Sequence, residues 1–184
     1  MAITFNDTLV QDFMKKSLGE PLDSVYHAVV PFHLGYDAGG AADVYQYKRP
    51  DGYISYVTGD LIGEDQKKSD AGNYELLIIM KEGEQWGANL IRMLAYSTLD
   101  ESLNSCETMD IGGFGKKVGF NAIIFDKYSS TEIDGKEIGL MLVIGITKQE
   151  LKWAFKNSGK ELIAKLKESG IYPYSLAKRK SVVK

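Results

Sequence analysis

Hydrophobic residues are most concentrated between residues 74 and 99. Residues 76–80 form an unbroken apolar run, which is typical of a strand covered on both faces. After a polar link at 81–84, apolar residues recur at the spacing of one helical face, at Trp86, Leu90, Met93 and Leu94. The pattern predicts a central strand followed by an amphipathic helix that packs on it, with Trp86 largely buried.

The remaining pattern predicts an α+β fold for a single domain, with helices packed on a central, mostly antiparallel mixed sheet. Further strands are predicted from apolar runs and alternation at 25–34, 43–49, 52–60, 121–125, 138–147 and 171–174. Turn residues at 50–52 and 133–136 join two pairs of these strands into hairpins. Helices are predicted at 6–18, with Thr8 and Gln11 as the candidate cap, and after capping boxes at 147–150 and 158–161.

Length and composition indicate an ordinary globular protein. The 184 residues suit one domain without a second core. No apolar run reaches the roughly 18 residues of a membrane span, and no signal pattern opens the chain, so we expect a cytoplasmic protein with no membrane partner. Cys106 is the single cysteine, so no intramolecular disulfide can form.

The net charge of −3 is unevenly distributed. Four basic residues lie in the last seven positions, at Lys178, Arg179, Lys180 and Lys184. Without these four positive charges the net charge of −3 becomes −7 for residues 1–177. We expect the basic tail at 177–184 to be disordered. An acidic body argues against nucleic acid as a partner and is compatible with a basic protein, although surplus acid also serves solubility.

Candidate catalytic groups are few. His27 and His33 lie six residues apart in a predicted strand, about 20 Å from each other, so they cannot share one metal ion. Cys106 has no histidine nearby in the sequence, and no serine lies in a nucleophile elbow. The glycine-rich stretch 112–117, from Gly112 to Lys117, offers backbone amides to a phosphate, or else forms a mobile loop. The pattern predicts no metal, no cofactor and no catalytic constellation.

Several segments, in a consistent order, resemble one known family. The central strand Tyr-Glu-Leu-Leu-Ile-Ile-Met at 74–80 and the tryptophan-containing helix through 89–96 are similar to those of the Suppressor of fused-like domain family. Residues 53–63 resemble the family's earlier strand and Gly/Asp turn, and 138–151 resemble its late apolar strand and the following helix start. The resemblance covers roughly residues 24–176.

The resemblance implies a binding protein that is not an enzyme. The animal member sequesters a transcription factor, whose peptide adds as a strand, and bacterial stand-alone members resemble immunity proteins that neutralise polymorphic toxins. We expect no second domain here, which favours an antitoxin that blocks the active site of a basic toxin domain. Two alternatives stay open: an intracellular scaffold that sequesters a regulator by strand addition, and a phosphate-acting enzyme that uses residues 112–117.

The resemblance also implies a partner-binding surface. Asp60 matches the acidic residue in the family's turn, and Glu75 matches the glutamate of its aromatic-Glu-Leu strand, a region with which the animal protein holds its ligand. Rigid tyrosine rings beside carboxylates suit a basic partner, which adds Tyr53 and Tyr56 if the two strands are neighbours. Alternatively, Glu75 is a structural acceptor near the end of the sheet and Asp60 bonds its own turn.

Overall fold

The computed structural model describes residues 3–112 and 118–184. Its regular elements are, in chain order, α1 (Thr8–Leu18), β1 (Glu20–Tyr26), β2 (Val44–Lys48), β3 (Tyr53–Thr58), β4 (Asn73–Lys81), α2 (Trp86–Ala95), α3 (Ser97–Asp100), β5 (Thr108–Asp110), β6 (Ala122–Ile133), β7 (Lys136–Ile146), α4 (Lys148–Lys156) and α5 (Gly159–Glu168). Two short 3₁₀ turns, at Phe32–Leu34 and Tyr36–Ala38, lie between β1 and β2. The predicted single-domain α+β class is confirmed.

Within the described residues the strands form one seven-stranded sheet in the order β1-β2-β3-β4-β7-β6-β5. Neighbouring strands are antiparallel except for the central pair, β4 and β7, which run parallel. The β2–β3 and β6–β7 hairpins are those predicted from turn residues. At the second turn, Asp134 and Gly135 both have positive φ, 50° and 72°, which matches the twist of a two-residue hairpin.

The central strand β4 is buried on both faces, as its apolar run predicts. Leu77 and Ile79 belong to a hydrophobic cluster with apolar residues of α1, α4 and α5. Leu76 and Ile78 point to the opposite side and pack with the buried residues of α2. The helices therefore cover the sheet from both sides, which leaves the central strands without a solvated face.

Helix α2 matches its predicted position, but its buried face is shifted. Leu90 and Leu94 are buried, whereas Met93 is 48% exposed. Trp86 is half-buried rather than largely buried, and its ring lies 5.3 Å from that of Phe120. Gly87 lies against β4 instead. A β-carbon at this position would lie 2.1 Å from the sulfur of Met80, so the helix can approach the strand this closely only at a glycine.

Two predicted strands are wrong. The segment 25–34 contains only the end of β1, because Pro31 has no N–H for a ladder and the 3₁₀ turn Phe32–Leu34 follows it. Residues 171–174 form a turn that ends α5, in which the N–H groups of Ile171 and Tyr172 donate to the carbonyl of Leu166. Helix α1 is capped by Asp7 and not by Thr8, since the Asp7 carboxylate accepts from the N–H of Leu9 at 2.9 Å.

The basic tail, which was expected to be disordered, instead packs on the domain. Arg179 donates to both carboxylate oxygens of Glu150, at 2.5 and 2.7 Å, and to the carbonyl of Gly145 at 3.0 Å. The side chains of Arg179 and Glu150 are only 6% and 0% exposed. Val182 also donates to Glu150 through its N–H, and Val183 is buried. The tail is ordered because it carries the cation that neutralises this buried carboxylate.

Ser175 holds the end of the parallel pair together. Its N–H donates to the carbonyl of Ile79 in β4, at 2.8 Å. Its hydroxyl accepts from the N–H of Gly145 and donates to the carbonyl of Val143, both in β7. The ladder between β4 and β7 extends only as far as Leu77 and Leu142. Ser175 thus satisfies backbone groups beyond the point where the ladder ends.

We expect Arg179→Ala to lower the free energy of unfolding by about 3–5 kcal/mol, because it leaves the Glu150 carboxylate buried without its cation. Urea denaturation followed by circular dichroism measures the loss. Lys180→Ala removes an exposed charge from the neighbouring position and should change stability by less than about 0.5 kcal/mol.

The double variant Arg179→Met/Glu150→Gln removes both charges together. It therefore distinguishes the contribution of the ion pair from that of side-chain packing. It should recover part of the stability lost in Arg179→Ala. Equal stabilities for Arg179→Ala and Lys180→Ala would show that the tail does not dock on Glu150 in solution.

Candidate functional site

Glu75 lies near the start of β4 and is fully buried. Its carboxylate accepts from the hydroxyl of Thr58 at 2.7 Å and from the N–H groups of Leu61 and Ile62, both at 3.0 Å. The Thr58 hydroxyl in turn accepts from the N–H of Leu76 at 2.9 Å. One side chain thus ties the turn after β3 to the next strand of the sheet. These contacts correspond to the structural-acceptor interpretation of Glu75.

Burial governs the electrostatics of this carboxyl group. It raises the pKa of Glu75 to about 8, with a smaller upward contribution from the charge of Asp60. The hydrogen bonds from Thr58, Ile62 and Leu61 act in the opposite direction, because they stabilise the ionised form. The balance keeps the native carboxyl protonated at pH values where an exposed glutamate is ionised.

Asp60 is exposed and lies directly after β3. Its carboxylate bonds outside its own turn, because it accepts from the N–H of Asp43 at 2.8 Å. The Asp43 carboxylate then accepts from the N–H of Ala28 at 2.8 Å and contacts Nδ1 of His27 at 2.7 Å. Asp60 therefore joins the turn after β3 to both ends of the loop 27–43. This loop is the long connection between β1 and β2.

The structure does not bring the four predicted partner-binding residues onto one surface. Asp60 and Glu75 lie at the same end of β3 and β4. Tyr53 lies at the other end, where it pairs with Lys81, about 20 Å along the sheet from Glu75. Its ring is stacked on that of Tyr174, with 4.1 Å between the centroids.

Tyr56 is buried in the cluster on the α2 side. Its hydroxyl donates to the carbonyl of Glu84 at 2.9 Å. Burial raises the pKa of Tyr56 to about 12. Of the four residues, Asp60 therefore offers an exposed polar side chain at this end of the sheet, and Glu75 lies behind it.

Exposed apolar side chains are concentrated in the same loop that Asp60 anchors. Val29, Leu34 and Tyr36 are 101%, 56% and 76% exposed. The ring of the buried Phe32 lies 4.6 Å from that of Tyr96, and the ring of Tyr36 lies 5.5 Å from it. The strand predicted at 25–34 leaves no place for these exposed side chains. Pro31 within that segment and the glycines at 35, 39 and 40 after it are the signal that indicates a loop.

The described residues offer little to a catalytic mechanism. Within 3–112 and 118–184, no group of three or more His, Cys, Asp or Glu side chains could hold a metal ion. Burial raises the pKa of the Cys106 thiol, which makes it a poorer nucleophile. No helix in this part of the chain is long and apolar enough to cross a membrane. The predicted phosphate loop at 112–117 lies, apart from Gly112, outside the described residues.

The family model described as Suppressor of fused protein (SUFU) matches residues 41–180, which include the whole sheet from β2 to β7 and both late helices. The chain belongs to the Suppressor of fused family. Comparison of the sequence with curated proteins finds no significant match.

Solved structures of Suppressor of fused proteins share this fold. A chain of the Sufu–Fu complex is 14% identical with a TM-score of 0.69, over 94% of this chain and 88% of that one. A putative SUFU homolog from Neisseria gonorrhoeae is 19% identical with a TM-score of 0.68, over 95% and 94% of the two chains. Drosophila Suppressor of fused is 15% identical with a TM-score of 0.62, over 81% of this chain but only 45% of its own.

The raised pKa of Glu75 predicts a pH dependence of stability. Between about pH 4.5, the ordinary value, and about pH 8, the native state holds a proton that the unfolded chain has lost. Stability should therefore fall as pH rises through this window, by up to about 1.4 kcal/mol per pH unit from this group. Glu75→Gln should lack this contribution, since its amide oxygen can accept from Leu61 and Ile62.

The measurement is the difference in unfolding free energy between the parent and Glu75→Gln at pH 5, 6, 7 and 8. The subtraction removes the titration of all other groups. Parallel stability curves for the two proteins would show that the Glu75 carboxyl titrates alike in the native and unfolded states.

Proposed function

We propose that this protein is an immunity protein that binds a toxin domain and blocks its active site, without catalysing a reaction itself. The observation that carries the proposal is the set of exposed apolar side chains, Val29, Leu34 and Tyr36, in the loop that Asp60 joins to the turn after β3. Exposed apolar side chains grouped among polar residues are typical of protein–protein interfaces. Membership of the Suppressor of fused family supports a binding role, as does a relative whose structure is a complex of Sufu with Fu.

The proposed partner surface consists of Asp60 and the exposed side chains of loop 27–43. The net charge of −3 and the exposed Asp37 and Asp60 favour a basic partner, whose approach they would accelerate. Glu75 is proposed as a positioning residue, because it holds the Leu61 and Ile62 amides and thereby the turn that presents Asp60.

The tyrosines are given smaller roles. Tyr56 supports the sheet beneath this surface. Tyr53 would contact only a partner large enough to extend along β3, since it lies at the opposite end of that strand.

The scaffold alternative has one specific observation in its favour. Both edge strands of the described sheet, β1 and β5, have one side unpaired by another strand, which is the requirement for strand addition. Gene neighbourhood discriminates between the two functions: an adjacent toxin gene favours immunity, and a signalling operon favours the scaffold. The phosphate-enzyme alternative predicts that Lys116→Ala or Lys117→Ala abolishes turnover of a phosphate substrate and leaves protein binding unchanged.

We expect Asp60→Lys to weaken the complex with the toxin encoded next to this gene by on the order of 2 kcal/mol, or about 30-fold in Kd, because it places like charges together. Asp60→Asn retains an acceptor for the Asp43 N–H and removes only the charge, so its loss should be smaller and mainly in the association rate. Biolayer interferometry with the purified toxin domain measures both.

Two further variants complete the test. Leu34→Ser removes an exposed apolar contact and should also weaken binding, whereas Glu168→Lys, an exposed reversal on α5, should not. Glu75→Lys would place a cation in a fully buried site and unfold the domain, so it cannot report on the interface. If Asp60→Lys and Leu34→Ser fold and protect toxin-expressing cells as the parent does, the surface is wrongly placed.

A further inference from the structure

The net charge of −3 conceals a strong separation of charge along the chain. Residues 148–184 contain ten lysine and arginine residues and three acidic residues, a net charge of +7. Residues 1–147 contain twelve basic and 22 acidic residues, a net charge of −10. The basic segment consists of α4, α5 and the docked tail, whose buried apolar residues pack together on one side of the sheet. Its positive charge is therefore concentrated on one layer of the domain.

Helix α4 carries a row of exposed lysines. Lys148, Lys152 and Lys156 recur every four residues, so they lie along one face of the helix over about 12 Å. Glu150, the one acidic residue in the sequence of this helix, is fully buried and paired with Arg179. The exposed face of α4 therefore has three positive charges and no accessible carboxylate.

An uncovered aromatic ring stands within this row. Phe155 follows Lys148 by seven residues, or nearly two helical turns, and so lies on the same face. Its side chain is 75% exposed, although a phenylalanine side chain gains free energy from leaving water. Lysines beside an exposed phenylalanine are typical of helices that bind at a membrane surface, where the ring enters the headgroup region and the amines meet anionic lipids.

The docked tail adds two lysines to this region. Lys178 and Lys180 flank Arg179 in the sequence, and both are exposed. Because Arg179 binds Glu150 in the first turn of α4, they lie beside the start of that helix. None of the five lysines forms an ion pair with another described residue. We define the basic surface as Lys148, Lys152, Phe155 and Lys156 of α4 together with Lys178 and Lys180 of the tail.

We propose that the basic surface binds an anionic lipid bilayer, with Phe155 inserted among the headgroups and the lysines directed at lipid phosphates and carboxylates. Each lysine near an anionic membrane adds to the attraction, so the five act together. Lysine favours a bilayer over a nucleic acid, because arginine is the residue whose planar fork matches fixed phosphates, and the one arginine in residues 148–184 is committed to Glu150. A lysine is a point charge on a flexible stem, which suits mobile headgroups.

The acidic part of the chain does not prevent this contact. Carboxylates on the α2 side of the sheet are separated from α4 by two packed layers, or roughly 20 Å at about 10 Å per layer. This distance exceeds the Debye length of about 8 Å at physiological ionic strength, so their repulsion is largely screened.

The basic surface is separate from the proposed toxin-binding surface. Phe32 of loop 27–43 packs in the cluster on the α2 side, whereas α4 packs in the cluster on the other side of the sheet. The inference therefore does not rest on the immunity function, and a bilayer would leave that loop accessible. It departs from the expectation of no membrane partner, which followed from the lack of a spanning or signal pattern and did not consider how surface charge is distributed.

The test is cosedimentation of the full chain with vesicles of phosphatidylcholine, alone or with about 30% phosphatidylserine. We expect binding to the anionic vesicles only, and its loss in about 1 M salt. Lys152→Glu/Lys156→Glu should weaken binding at least about tenfold and Phe155→Ser at least about threefold. All three side chains are exposed, so these variants should fold, which circular dichroism checks.

Matched variants outside the basic surface serve as controls. Lys67→Glu/Lys68→Glu makes the same change in net charge at exposed positions, and Val29→Ser removes an exposed apolar side chain from loop 27–43. Both should leave vesicle binding within about twofold of the parent, because charge acts on a membrane only within about a Debye length of it.

Two further measurements distinguish insertion from charge attraction and lipid from nucleic acid. The fluorescence of Phe155→Trp should shift to the blue and be quenched by brominated acyl chains on anionic vesicles, more than that of the parent, in which Trp86 and Trp153 are half-buried. A fluorescein-labelled oligothymidylate should not bind saturably at physiological salt. Equal binding to neutral vesicles, equal binding by the Lys152/Lys156 and Lys67/Lys68 double variants, an unquenched Phe155→Trp, or saturable oligonucleotide binding that Lys152→Glu/Lys156→Glu abolishes would each overturn the proposal.

Discussion

Burial of β4 and β7 on both faces is the constraint on which the architecture depends. Residues 76–80 of β4 and 138–146 of β7 are apolar or small and have no accessible face, so the chain must supply cover on each side of the sheet. One side is covered by α2 and the other by α1, α4 and α5. The sheet edges carry no such requirement, and the loops and strands with uncovered apolar or acidic groups lie there.

Two buried glutamates, Glu150 and Glu75, each hold separate segments of the chain together. They differ in what compensates for the burial of their carboxyl groups. Glu150 receives a guanidinium from the tail together with N–H donors, so it is neutralised by an ion pair. Glu75 receives a hydroxyl and two N–H groups but no cation, and burial therefore raises its pKa. The first fastens a terminal segment to the domain, and the second fastens the turn that carries Asp60.

Sequence patterns predicted the helices and strands that are determined by residues close together in the chain. The run at 76–80, the helix at Trp86 and the capping box at Thr147 each depend on neighbouring residues, and each lies where it was expected. The pairing of Arg179 with Glu150 depends on proximity that only the fold creates, and β5 is too short and polar to be recognised. Asp60 and Glu75 lie at the same end of the sheet, but no sequence pattern shows that one is exposed and the other buried.

Docking of the tail has a consequence for the order in which the domain folds. Strand β7 and the start of α4 precede Arg179 in the chain, so the sheet can assemble before the tail packs. Until Arg179 docks, a domain that has already assembled its sheet holds Glu150 without its cation. The domain therefore gains its full stability only when the segment around Arg179 has packed on Glu150, which places this contact late in folding.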